Sequence, residues 1–68
     1  MGLAQSLGLN IRRLRQEKGL SQEALADAIE LAPTYVGQLE RGRRNPTLAI
    51  VERFADFFGV DALDLLRR

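Results

Sequence analysis

The stretch Ser21–Gly42, SQEALADAIELAPTYVGQLERG, decides the fold of this 68-residue chain. Ser21 is a typical helix N-cap, and Glu23 follows in the first turn, where the helix dipole favours an anion. Pro33 suits the start of a second helix, because its missing N–H would be unpaired in a first turn anyway. Gly42 is a typical residue to end that helix. The stretch therefore predicts two short amphipathic helices joined by a tight turn.

Apolar spacing and capping residues predict three further helices around this pair. Leu7, Ile11 and Leu14 form one stripe of a first helix. Thr47 and Asp61 are suited to cap a fourth and a fifth helix. Since no alternating run indicates a strand and the connections are short, we predict a compact all-α fold. We expect a single domain spanning residues 1–68, with helices at roughly 6–18, 21–28, 33–41, 47–58 and 61–67.

Composition excludes several classes of function. With 46% hydrophobic and 28% charged residues, the chain has the composition of a globular protein. It contains no Cys and no His, which removes thiolate metal sites and the commonest general base. We therefore expect no enzyme activity, no metal and no cofactor. No apolar run is long enough for a bilayer, and no secretory signal is visible. From the length of the chain, we expect no sensor of small molecules.

Charge is distributed unevenly although the net charge is only +1. Such asymmetry can place a basic face on a nearly neutral protein, and a short helix pair followed by arginines suits a DNA major groove and its flanking phosphates. The alternative is an ordinary solvated surface with scattered charges. The basic residues form two groups: Arg12, Arg13, Arg15 and Lys18, then Arg41, Arg43 and Arg44.

Four segments in order carry a family resemblance: IRRLRQEKGLSQEALA, YVGQLERG, NPTLAIVERFADFFGV and DALDLL. From about Leu7 to Leu66 the chain resembles the Cro/CI (Xre) helix-turn-helix DNA-binding domains of phage and bacterial repressors. The resemblance implies a lambda-repressor-like five-helix domain with the helix-turn-helix at helices 2 and 3. It also implies a sequence-specific, double-stranded DNA-binding transcriptional regulator of repressor or controller type. Such a protein would be cytoplasmic and nucleoid-associated in a bacterial or phage-infected cell.

The resemblance also implies roles for individual residues. The third helix corresponds to a recognition helix, and Gln38 is the best candidate for base readout because its amide can bond adenine through N6 and N7. Arg15 and Glu40 match a structural ion pair. For Tyr35, a phosphate contact and a half-buried position in the core are equally supported. The predicted base-contacting residues are Pro33, Thr34, Gly37 and Gln38, and the predicted phosphate-contacting residues are Gln22, Tyr35, Arg43 and Arg44.

The sequence departs from the family pattern at three positions. Glu30 stands where the family often has Gly, and a non-glycine residue at positive φ costs about 1 kcal/mol. Ala32 replaces the usual Ser or Thr cap of the recognition helix. Gly37 lies in mid-helix and offers no side chain for a hydrogen bond. These departures bear on base reading more than on the fold.

The fourth helix has an apolar arc of about 180°, wider than the roughly 100° of a helix that packs on one core. We therefore predict a homodimer, which would bind a pseudo-palindromic operator with half-sites about ten base pairs apart. The alternative is that the N-terminal residues Leu3 and Leu7 cover this strip within one chain. The predicted dimer interface consists of Ile50, Phe57, Val60, Leu63, Leu65 and Leu66.

A second function of another class is a protein–protein adaptor. Such a protein would use the same fold to bind another regulator or an antitoxin partner. Ile50, Phe57 and Leu65 would then form the interface, and the third helix would have no role. The arginines after that helix argue against this alternative, whereas Gly37 and the weak cap mildly favour it.

Overall fold

All five predicted helices are present in the computed structural model, which describes residues 2–68. No strand occurs in that range, so the all-α prediction is confirmed. The first helix begins earlier than predicted because the Gly2 N–H donates to Gln5 Oε1 at 2.9 Å. The fifth is shorter than predicted and forms little more than one turn. The helices are α1 (Leu3–Glu17), α2 (Gln22–Ile29), α3 (Pro33–Glu40), α4 (Leu48–Phe58) and α5 (Ala62–Leu65).

Side-chain caps begin three of these helices. The Ser21 hydroxyl accepts from the Ala24 N–H at 3.0 Å, and the Thr47 hydroxyl accepts from Ile50 at 3.2 Å. The Asp61 carboxylate accepts a further N–H, that of Leu63, at 3.1 Å. α3 differs, because Ala32 at its N-cap provides no side-chain hydrogen bond. The predicted caps are therefore present, and α3 begins without a side-chain cap, as the sequence indicated.

A single hydrophobic core joins the helices, with Phe54 of α4 fully buried at 0% exposure. Leu48, the first residue of α4, lies outside this core and is 76% exposed. The other buried apolar residues are Leu7, Ile11, Leu25, Ala26, Ile29, Val36, Leu39, Val51, Ala55, Phe58 and Leu65.

The prediction that Leu65 lies on a dimer surface is wrong. Its side chain is 0% exposed and belongs to the core, whereas Leu63 is 68% exposed. Asp61 caps a helix of only one turn. At the end of that turn, four residues after the cap, the Leu65 side chain packs into the core with residues of α4. Its carbonyl also accepts a hydrogen bond from the Asn10 amide of α1 at 2.8 Å.

α1 lies unusually close to the C-terminal end of α3. A Cβ atom built on Gly8 would stand 2.3 Å from the carbonyl oxygen of Leu39 and 2.7 Å from that of Glu40. Real Cβ atoms do not approach backbone this closely, so the crossing requires glycine at this position. α1 thereby fixes the end of α3 from which the basic loop begins.

Candidate nucleic-acid interface

The turn between α2 and α3 keeps a left-handed conformation at a non-glycine residue. Glu30 has φ 61° and ψ 44°, and the next N–H, that of Leu31, donates to the Ala26 carbonyl at 2.9 Å. The strain of about 1 kcal/mol expected for a side chain in this region is therefore accepted. The Arg53 guanidinium of α4 donates to the Ile29 carbonyl, which places a positive charge at the C-terminus of α2, where the helix dipole favours a cation.

A buried ion pair connects α1 with α3. Arg15 Nε lies 2.6 Å from Glu40 Oε2, and Arg15 Nη2 lies 3.0 Å from Glu40 Oε1. The two side chains are only 12% and 2% exposed. Gln22 Nε2 of α2 donates to the same carboxylate at 3.0 Å, so three helices meet at one group. The structure thus contains the ion pair that the family resemblance implied.

The hydrogen bond to the Glu40 carboxylate raises the pKa of the Arg15 guanidinium above its ordinary, strongly basic value. A cation whose folded-state pKa is raised contributes stability fully below its unfolded-state pKa and loses it only as the pH rises through the folded value. The contribution of Arg15 to stability is therefore constant around neutral pH.

The outer side of α3 exposes fewer residues than the sequence predicted. Pro33 and Thr34 are exposed, and Gln38 is half-buried. Gly37 is buried, and a Cβ atom built on it would lie 3.3 Å from Gln22 Oε1. Gly37 faces the first turn of α2, where the Gln22 side chain covers it. Its assignment to the base-contacting set is therefore wrong.

The loop after α3 folds back over this outer side. Arg44 Nη1 donates to Gln38 Oε1 at 3.0 Å, and the Arg44 guanidinium carbon lies 4.7 Å from the centre of the Tyr35 ring. Tyr35 is half-buried and packs against the core. Arg43 is exposed, and its backbone N–H donates to the Gln38 carbonyl at 2.9 Å. Base-facing and phosphate-facing candidates are thus in direct contact.

A basic hollow beside this loop was missed by the sequence analysis. Arg12 of α1 lines it together with Arg41 and Arg43, Gln5 and Leu9 complete its α1 side, and Glu40 at the end of α3 also lines it. Within residues 2–68 these three guanidiniums have no carboxylate partner. The available signal was the i, i+4, i+7 spacing of Gln5, Leu9 and Arg12, which places them on one stripe of α1.

Among residues 2–68, no group of three His, Cys, Asp or Glu side chains is placed to hold a metal ion. In the same range, no helix is long and apolar enough to cross a membrane.

The geometry defines a helix-turn-helix DNA-binding domain: two short helices meet at a tight turn, the second has an exposed outer side, and a basic loop follows it. The chain belongs to the helix-turn-helix family of the Cro/CI (Xre) type, whose sequence profile matches residues 11–65. The fold and the family are those of DNA-binding helix-turn-helix domains, and the relatives that the chain matches are transcriptional regulators.

Individual relatives agree with this assignment. The chain is 45% identical over 56 residues to the HTH-type transcriptional regulator RamB of Mycobacterium tuberculosis, a match that covers 82% of this chain but only 12% of RamB. A hypothetical transcription factor from Neisseria has a similar structure, with a TM-score of 0.89, 43% identity, and coverage of 96% of this chain and 75% of that one. The restriction-modification controller protein C.AhdI from Aeromonas hydrophila gives a TM-score of 0.83 at 39% identity, covering 91% of this chain and 94% of C.AhdI.

Proposed function

We propose that this protein is a sequence-specific regulator that inserts α3 into the major groove of duplex DNA in the bacterial cytoplasm. The observation that carries the proposal is the exposed outer side of α3, with the basic loop folded directly against it. Thr34 and Gln38 would contact base edges, and Pro33 would lie against the groove at the N-terminus of α3. Phosphate contacts would set the register and most of the affinity.

The side chains proposed to contact phosphates have hydrogen-bond donors that are not used within the described part of the chain. The Gln22 amide carries two N–H groups and uses one of them on Glu40. The hydroxyl of Tyr35 and the guanidinium of Arg43 have no hydrogen-bond partner among residues 2–68. These groups flank the outer side of α3, where two DNA strands would pass.

Removing one of the loop arginines should weaken binding to every duplex sequence. In Arg43→Ala, we expect the plot of log affinity against log salt to become shallower by about 0.9, the slope of one lost phosphate contact. Fluorescence anisotropy with random duplexes over a series of salt concentrations measures both effects.

Arg67→Ala is the matched control for that experiment. It also removes one positive charge, but Arg67 lies beyond α5 and pairs with Asp64 at 3.2 Å. An equal loss of affinity in the two variants would show that general charge, and not the loop, governs binding. Failure of the unaltered chain to bind any duplex in dilute buffer would contradict the proposed function itself.

We further propose that the protein binds a pseudo-palindromic operator as a homodimer. A partly exposed apolar strip runs from α4 to α5, and within it the Phe57 ring packs edge-on against Phe58 at 5.2 Å. The dimer is supported over a cover by the N-terminal residues because Leu7 is buried in the core and Leu3, which lines one hollow with Leu66, is 56% exposed. The dimer strip is defined, without Leu65, as Ile50, Phe57, Val60, Leu63 and Leu66.

Phe57→Asp should convert this dimer into a folded monomer. A carboxylate in the dimer strip would have to lose hydration on association, and the apolar area of the Phe57 ring would be lost from the interface. Sedimentation at micromolar concentration measures the change in mass, and circular dichroism checks that the helices persist. Leu48→Asp is the control, since Leu48 is 76% exposed and lies outside the strip. A strictly monomeric unaltered chain would contradict the proposed dimer.

A further inference from the structure

We propose that Arg44 sets the base preference of Gln38, so that the recognition helix reads guanine rather than adenine at that position. This inference rests on the proposed DNA binding and specifies the ligand chemistry of the same site. It assigns Arg44 a positioning and reading role in addition to the phosphate contact predicted from the sequence.

The orientation of the Gln38 amide follows from the chemistry of its neighbour. Arg44 Nη1 lies 3.0 Å from Gln38 Oε1. A guanidinium group carries donors only, so the amide oxygen must be the atom that faces it. The NH₂ group of Gln38 is therefore directed away from Arg44. The Gln38 amide can normally rotate between two orientations, and the Arg44 hydrogen bond favours one of them before DNA binds.

Two further contacts position Arg44 next to the Gln38 amide. Its guanidinium carbon stands 4.7 Å from the centre of the Tyr35 ring, which is itself packed against the core. The neighbouring backbone N–H of Arg43 donates to the Gln38 carbonyl at 2.9 Å, which ties the start of the loop to the same residue. Cation–π stacking favours arginine in such a place, because its planar group lies flat on the ring.

The resulting surface matches guanine better than adenine. A bidentate pair with adenine needs the amide oxygen to accept from N6–H and the amide nitrogen to donate to N7. Arg44 takes one lone pair of that oxygen, and its positive charge next to the amide disfavours an approaching amino group. Guanine presents two acceptors, N7 and O6, to the major groove. The Gln38 NH₂ group and the remaining N–H groups of Arg44 can donate hydrogen bonds to these two acceptors.

In vitro selection of bound duplexes, run in parallel on four proteins, tests this inference. The unaltered chain gives the operator, and Gln38→Ala identifies the position that Gln38 reads as the one that loses its preference. Arg44→Met then removes the guanidinium while keeping a long side chain. Arg43→Met is the matched control, because it removes the same charge from the adjacent residue and keeps the backbone N–H by which Arg43 bonds the Gln38 carbonyl. It should weaken binding to every sequence alike.

We expect the unaltered chain to prefer guanine over adenine about tenfold at the Gln38 position, the order of one good base contact. Arg44→Met should reverse that preference toward adenine, whereas Arg43→Met should leave it unchanged. An adenine preference in the unaltered chain, or the same preference in Arg44→Met, would overturn the inference while leaving DNA binding intact. An equal shift in Arg43→Met would also overturn it, because charge alone would then be the cause. If no duplex is selected by the unaltered chain, the proposed function fails and this inference fails with it.

Discussion

Glu40→Ala is expected to lower the free energy of unfolding by about 3 kcal/mol, the order found when one partner of a buried ion pair is removed. Glu40 is 6% exposed and accepts hydrogen bonds from Arg15 and Gln22. Without the carboxylate, the Arg15 guanidinium stays largely buried with only the Leu20 carbonyl, at 2.8 Å, as a partner. Urea denaturation followed by circular dichroism measures the change.

Two controls separate the effect of breaking the buried Arg15–Glu40 pair from the effect of removing a charge anywhere on the protein. Glu17→Ala breaks the Arg13–Glu17 pair, whose side chains are 56% and 59% exposed, so it should cost less than about 0.5 kcal/mol. The double variant Arg15→Met with Glu40→Ala removes both charges and should be more stable than the sum of the single changes predicts. Equal effects of Glu40→Ala and Glu17→Ala would contradict the assigned role of the buried pair.

Gly8→Ala is expected to destabilise the domain by about 2 kcal/mol or more. Overpacking a tight contact costs about 3 kcal/mol, and replacing a helical glycine returns about 1 kcal/mol of helix propensity. The added Cβ would stand 2.3 Å from the Leu39 carbonyl oxygen, a backbone atom that cannot rotate away. For a domain of this size, such a loss lowers the midpoint of thermal unfolding by about 10 °C.

Gly37→Ala provides the same chemical change in α3 without the clash. Its Cβ would meet only the flexible end of the Gln22 side chain, at 3.3 Å, so we expect this variant to be as stable as the unaltered chain or slightly more stable. Thermal unfolding of the two variants side by side tests the geometry directly. If Gly8→Ala unfolds at the temperature of Gly37→Ala, α1 does not cross α3 as closely as described.

Local chemistry explains why much of the fold could be predicted from the sequence. Ser21, Thr47 and Asp61 cap helices because their side chains reach an N–H two or three residues on, a contact that needs no tertiary structure. The buried stripe of α4, which includes Phe54 and Phe58, follows from helical periodicity in a helix of 11 residues.

Tertiary contacts explain why the rest could not be predicted. α5 is only one turn long, so no periodicity distinguished Leu65, which is buried, from Leu63, which is exposed. Gly37 was placed outward because the sequence does not reveal that the Gln22 side chain covers it. The contact of Arg44 with Gln38 depends on how the loop returns over α3, and nothing in the spacing of residues six apart indicates that path.

The central claim is that the outer side of α3 and the loop beyond it contact DNA. Titration of the isotopically labelled chain with its selected duplex, followed by amide chemical shifts in NMR spectra, tests that claim most directly. We expect the largest shifts at Gln22, in residues 34–38 and in residues 43–44. Large shifts confined to the dimer strip, with these residues unchanged, would contradict the account, because the duplex would then bind another surface. The absence of any shift on adding duplex would favour the protein–protein adaptor.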